Sequence, residues 1–259
     1  MNKSQSFFTE YELPLFLLLT YVLSWWSAPL MMGQIIPYGP AMAAHIVLGI
    51  TTGRKGLGEL WRRVTNWRIP FVWFIAGPAV ILGYHAVGFV ISLLLGLQVA
   101  SLPHISSGTF LELLLLGSLW AEPGWSGYLL PKMRERFGNH PNGLLLAALV
   151  TGVFRGVWHL PLFLYGHIPW FDIFVFNFAF QLLIAWVFYR SGGSVMAVML
   201  LHFASNLMGA FTYPIFAGVA HTMYTALFMA MAYLAALIIL FSGGLYTERA
   251  KQKIWQAGI

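Results

Sequence analysis

Trp120-Ala121-Glu122-Pro123-Gly124-Trp125-Ser126-Gly127-Tyr128-Leu129-Leu130-Pro131 sets a carboxylate, Glu122, inside an otherwise apolar run. A charge at membrane depth costs ~2.5–3.5 kcal/mol on insertion scales, so such a residue is kept where it is paired, wetted or used. Other polar groups recur on later apolar runs: Arg155 with His159, and His202 with Asn206. Together they read as one buried polar cluster, and the rest of the chain as its container.

The container is lipid-facing by composition. Of 259 residues, 59% are hydrophobic and 8% are charged, with a mean hydropathy of +0.75. Soluble domains carry about 25% charged residues, so the chain reads as an all-α polytopic membrane protein. The absence of cysteine rules out disulfides and thiolate metal sites. A net charge of +6 invites a nucleic-acid reading, which fails because the basic residues lie in short loops between apolar spans. The first apolar run has the length of a span and lacks a small-residue cleavage site, so no signal peptide is expected.

Eight spans are expected, at roughly 13–33, 35–51, 69–98, 108–130, 142–165, 171–189, 194–214 and 219–243. Between the second and third, 53–68 reads as a basic amphipathic linker, with Trp61, Trp67 and Trp73 placed for an interface. With this count, thirteen of the fourteen Lys and Arg fall on one side, the basic tail Arg249, Lys251 and Lys253 included. The positive-inside rule makes that side cytoplasmic and puts both termini there. The fourteenth is Arg155, mid-span. Residues 1–259 read as a single integral-membrane domain of the cell membrane, with lipid as partner, no nucleic acid, and no indication of oligomeric state. A transporter reading lacks the inverted repeat and paired broken helices it would need.

Arg155 and His159 are spaced i, i+4, as are His202 and Asn206, and as are Glu122 and Ser126 if the helix survives Pro123. Pro123-Gly124 should kink the regular helix or end it just after Glu122. A Glu, two His and an Asn in a low-dielectric cavity could activate water and stabilise an oxyanion. Glu122, His159 and His202 could equally be the three protein ligands of a zinc ion. Against these stand plainer readings: Asn206 as helix–helix glue, Arg155 as a neutraliser of Glu122 or Glu112, and His45 and His85 as packing residues.

At these residues the chain resembles the CPBP family, membrane-embedded CAAX-processing and bacteriocin-immunity proteases. The family motifs are Glu-Glu-x-x-x-Arg with a following Gly-[Phe/Tyr]-Leu-Leu-Pro, an aromatic-x-x-x-His, and His-x-x-x-Asn. Their counterparts here are Ala121 to Pro131, Arg155 to Phe163, and His202 to Asn206, within about residues 110–210. The resemblance implies an eight-helix intramembrane endopeptidase of bacterial type acting on a membrane-associated or prenylated peptide. It implies that the first Glu and first His activate water while the second His and the Asn form the oxyanion hole. Those His and Asn positions are His159, His202 and Asn206, and no metal is firmly required.

Three departures bear on activity. The first Glu is Ala121, the Arg is Ser126, and the aromatic is Arg155. Alanine cannot carry a proton, and losing a general base costs ~10²–10⁴-fold in rate. Two outcomes are therefore kept open: a protease with Glu122 recruited as base, or a non-catalytic member that binds membrane peptides, as in bacteriocin self-immunity. In either, Arg155 is expected to be the lost arginine moved to a neighbouring helix, pairing with Glu122. Straight-helix rise from the outer surface argues against contact, placing Glu122 at ~20 Å and His159 at ~9 Å depth.

Overall fold

The apolar stretches fold into helices and nothing else. The computed structural model describes residues 10–102, 104–138 and 140–245, and among these no strand occurs. Lys3 and the basic tail lie outside the described residues. In chain order the helices are α1 (Glu12–Trp25), α2 (Gly39–Thr51), α3 (Gly53–Val64) and α4 (Val72–Leu94). A continuous helical column follows over 107–136, α5, then α6 (Gly143–Trp158), α7 (Leu160–Leu164) and α8 (Asp172–Arg190). The last are α9 (Val195–Thr212) and α10 (Gly218–Phe241).

Four segments are long and apolar enough to cross a membrane: Val72–Leu94, Asp172–Arg190, Val195–Ile215 and Gly218–Phe241. Glu12–Trp25, Gly39–Thr51 and Gly143–Trp158 are apolar but shorter. With α5, each of the eight expected spans has its own helical column. The first span needs correction. Its helix stops at Trp25 and turns occupy the residues up to Gly33, because Pro29 has no N–H to continue the ladder. Ser27 Oγ closes the turn by donating to the Gln34 carbonyl at 2.9 Å.

The linker 53–68 is a true amphipathic helix over most of its length. In α3, Leu60 is fully buried while Arg54, Lys55 and Arg62 are exposed. Arg63 turns inward and donates to the Gly127 carbonyl at 2.9 Å, tying α3 to the column that holds Glu122.

Around the column the helices pack in neighbouring pairs: α1 on α2, α2 on α5, α6 on α8, and α4 on both α9 and α10. Lipid supplies no hydrophobic drive between helices, so close backbone approach at small residues supplies the contact. A Cβ at Gly124 would lie 2.3 Å from the carbonyl carbon of Pro40, and one at Gly39 would lie 2.0 Å from Ser24 Oγ. These two glycines let α1, α2 and α5 stack within two residues of Glu122. Gly124→Ala should therefore lower stability by about 1–3 kcal/mol through overpacking against main chain. Gly83→Ala on α4 meets nothing within 4 Å and should be neutral or stabilising. Thermal denaturation of both in detergent checks the contrast.

Candidate functional site

The column over 107–136 is helical throughout but not regular. Its π-helical turns, Leu113–Ser118 and Trp125–Leu129, bracket an α-helical turn, Leu119–Gly124, that carries Glu122. The α-helical turn thus ends at Gly124, just after Pro123, and the chain stays helical by widening to π geometry. Such turns are frequent at functional sites. Because the helix continues, Ser126 remains one turn from Glu122, and its hydroxyl donates to Glu122 Oε2.

Glu122 is fully buried and Arg155 is 1% exposed. Arg155 Nη1 donates to Glu122 Oε1 at 2.7 Å and Nη2 to Oε2 at 3.0 Å, a bidentate pair from α6 to α5. The depth gap expected between Glu122 and His159 does not extend to Arg155, which stands one turn earlier in α6. Counted from the loop joining the two helices, Glu122 lies fourteen residues from Arg136 and Arg155 twelve from Gly143. Those intervals are about 21 and 18 Å of helix rise, so the two meet at one level. The guanidinium also lies 5.7 Å from the centre of the Trp125 ring.

The fourth hydrogen bond to the carboxylate comes from α9. His202 Nδ1 lies 2.7 Å from Glu122 Oε1, and the Phe180 ring meets the imidazole edge-on at 5.4 Å. Helix α9 is capped by Ser194, whose side chain accepts from the Ala197 amide. Asn206 is one turn beyond His202 and packs on the first π-turn of α5. A Cβ at Gly117 would lie 2.6 Å from Asn206 Nδ2, so the glycine leaves the space that the amide fills.

His159 stands where α6 breaks. Pro161 withholds an N–H, α6 ends at Trp158, and the short α7 begins at Leu160. Helix α1 braces this end: Trp25 Nε1 donates to the Trp158 carbonyl at 3.0 Å and the Tyr21 hydroxyl to the Phe154 carbonyl at 3.2 Å.

His159, His202, Asn206 and Arg155 line one cavity of about 500 Å³, whose remaining walls include Leu113, Phe176 and Phe228. Glu122 is not among its lining residues; it sits behind, holding Arg155 and His202. Ala121, also outside the lining, packs in the core at 1% exposure. His85 does line the cavity, with Nδ1 2.9 Å from the Tyr224 hydroxyl. His45 lies elsewhere, its Nδ1 2.7 Å from the Ala41 carbonyl one turn back in α2. Glu112 is exposed on α5.

Some cavity residues went unnoticed in the sequence. Asp172 opens α8 and accepts from the Tyr213 hydroxyl at 3.0 Å, and Asn177 Nδ2 donates to the Gly152 carbonyl at 2.5 Å. A signal existed: Asn177 and Gln181 are polar residues at i, i+4 inside an apolar span.

A zinc ion held by Glu122, His159 and His202 does not fit this donor set. Both carboxylate oxygens already accept from Arg155, His202 and Ser126, and the guanidinium stands against the carboxylate where a cation would sit. Among the described residues no three His, Asp or Glu side chains group to hold a metal ion.

The site lies within a stretch with known counterparts. Residues 103–208 match the family of Rce1-like type II CAAX prenyl endopeptidases. The resemblance read from the motifs is borne out over this stretch. A CAAX prenyl protease 2 from Methanococcus maripaludis is 29% identical over 108 residues, 38% of this chain and 38% of that protein. That alignment spans well under half of either chain, and the family match over 103–208 includes Glu122, Arg155, His159, His202 and Asn206.

A buried ion pair broken on one side leaves an uncompensated charge, at a cost of about 3–5 kcal/mol. Arg155→Leu should destabilise by that order, and Arg155→Leu with Glu122→Gln should recover much of the loss. Chemical denaturation of wild type, single and double variants in detergent measures this, and a double variant no more stable than Arg155→Leu would remove the pair from the account.

Proposed function

We propose that the chain is a membrane-embedded endopeptidase, with the cavity between α5, α6, α8 and α9 as its active site and a membrane-associated peptide as substrate. The observation that carries this is the Glu122–His202 hydrogen bond beside a cavity shared with His159 and Asn206. A carboxylate on Nδ1 fixes that nitrogen as the N–H, leaving Nε2 of neutral His202 with a lone pair. This is the arrangement of a general base with its orienting acid.

The reaction then runs as follows. Water attacks the peptide carbonyl carbon while His202 Nε2 takes its proton. His159 and Asn206 donate hydrogen bonds to the oxygen that becomes negative. The tetrahedral intermediate collapses, the C–N bond breaks, and His202 returns the proton to the leaving amine. Glu122 acts through His202 as a positioning residue, and Arg155 keeps the cluster neutral in place of the missing motif arginine. The role of the absent first Glu passes to the Glu122–His202 pair. The apolar walls at Leu113, Phe176 and Phe228 suit a lipid-modified or hydrophobic segment, and the Rce1-like match makes a prenylated C-terminal peptide the first substrate to try. In the same reading both termini are cytoplasmic, the chain is one integral-membrane domain, and the membrane is the cell membrane.

A second reading has its own observation. Ala121 stands where the family places a Glu and is buried in the core, so a chain that binds peptides without cutting them fits the same cavity.

One assay separates the two. Purified protein in detergent is offered fluorogenic membrane peptides, a prenylated one among them, and both cleavage and binding are recorded. The proposal expects cleavage by the native chain. His202→Ala should lower it ~10²–10⁴-fold, and His159→Ala or Asn206→Ala ~10²–10³-fold. Peptide binding without cleavage would favour the second reading.

A further inference from the structure

The cavity reaches well beyond the histidines. Helices α8 and α9 run in opposite directions along it, for the Phe180 ring meets His202 while Asp172, eight residues before Phe180, meets Tyr213. Both ends lie on the cavity wall, and Gly209 and Ala210 line the stretch between, so α9 places no large side chain there. Along α9, His202 and Tyr213 are eleven residues or about 16 Å apart; along α8, Phe180 and Asp172 are about 12 Å apart. Asp172 is the sole acid among the described residues that line the cavity. Its Oδ2 accepts from the Tyr213 hydroxyl at 3.0 Å, and the His221 ring lies 5.2 Å from that of Tyr213. Arg155 on the same wall is matched by Glu122. Asp172 is not matched: among the described residues no Lys, Arg or His comes within ion-pair distance of it.

We propose that Asp172 is a specificity-determining residue: with Tyr213 it takes a basic side chain of the substrate peptide, three to five residues from the bond that is cut. This rests on the endopeptidase reading of the histidine end. An extended peptide covers about 3.3 Å per residue, so the 12–16 Å from His202 to Asp172 spans about four or five residues, and the length of a lysine or arginine side chain brings the lower end to three. The Tyr213 bond occupies one of the carboxylate's four lone-pair sites. An ammonium or guanidinium can donate to Oδ1 and to the Tyr213 oxygen, whose own proton is committed to Oδ2. An acid in the first turn of α8 also suits the helix dipole, but that role is served equally with the carboxylate turned to solvent. Asp172 instead lines the cavity, at the head of a span where a charge is kept if it is paired, wetted or used.

The test uses the full chain in detergent and fluorogenic peptides that share one hydrophobic cleavage segment. A single Lys is walked along both flanks of the bond, each peptide having a Gln and a Glu twin. Cleavage is read as kcat/KM and binding by fluorescence anisotropy. The native chain should favour Lys over Gln about tenfold at a position three to five residues out, on one flank only. Asp172→Asn, which still accepts from Tyr213, should bring that ratio to about one, and Asp172→Lys should turn it in favour of Glu. Glu112→Gln removes an exposed acid on α5 outside the cavity and should keep the native ratio. Should Asp172→Lys fail to fold, Asp172→Asn carries the test. A lysine preference in binding without cleavage would support the subsite and count against the endopeptidase reading. Cleavage with no lysine preference three to five residues out, or a preference that survives Asp172→Asn, would overturn the subsite and leave that reading standing. A panel in which no Lys peptide is bound or cut better than its Gln twin would overturn the subsite as well.

Discussion

A carboxylate and a guanidinium, both sealed from water, meet in the middle of this protein, and the surrounding helices are arranged so that they can. Each ion alone would cost several kcal/mol to bury. Their bidentate contact offsets that cost only if α5 and α6 hold the two at one level and if the remaining carboxylate lone pairs find donors. His202 and Ser126 supply those donors. The constraint therefore reaches α9 through His202 and shapes α5 through the turn that joins Glu122 to Ser126.

The same constraint links structure to chemistry. A carboxylate occupied by four hydrogen bonds has no lone pair to offer water, so its influence passes outward through the imidazole it holds. His202 faces the cavity because Glu122 grips its other nitrogen, and Asn206 follows one helical turn later. Bracing of α6 by Trp25 and Tyr21 fixes the end at which His159 stands. Cavity and ion cluster are two faces of one polar interior.

Much of this was legible in the sequence. Apolar length and the pattern of Lys and Arg gave the eight spans, and Pro123 marked a departure from regular helix, whereas the break at His159-Leu160-Pro161 inside the expected span 142–165 was not foreseen. Glu122, Arg155, His159, His202 and Asn206 stood out because polar groups are conspicuous in apolar runs. Depth was compared between Glu122 and His159, whereas the residue of α6 that reaches Glu122 is Arg155, one turn earlier. The length of the first helix was overread because Pro29 sits inside a run that is apolar to its end. The π-turns leave no periodicity signal in so uniformly apolar a stretch. Asp172 and Tyr213 meet only through tertiary packing, 41 residues apart.

The central claim is that Glu122 orients His202 with Nδ1 as the donor and Nε2 bare toward the cavity. Nitrogen-15 NMR of histidine-labelled protein in micelles reads this directly, with His202→Gln used to assign the signal. The account predicts a neutral His202 protonated at Nδ1, and loss of that tautomeric preference in Glu122→Gln. A His202 ring protonated at Nε2 alone, or one whose tautomer ignores Glu122→Gln, would contradict it.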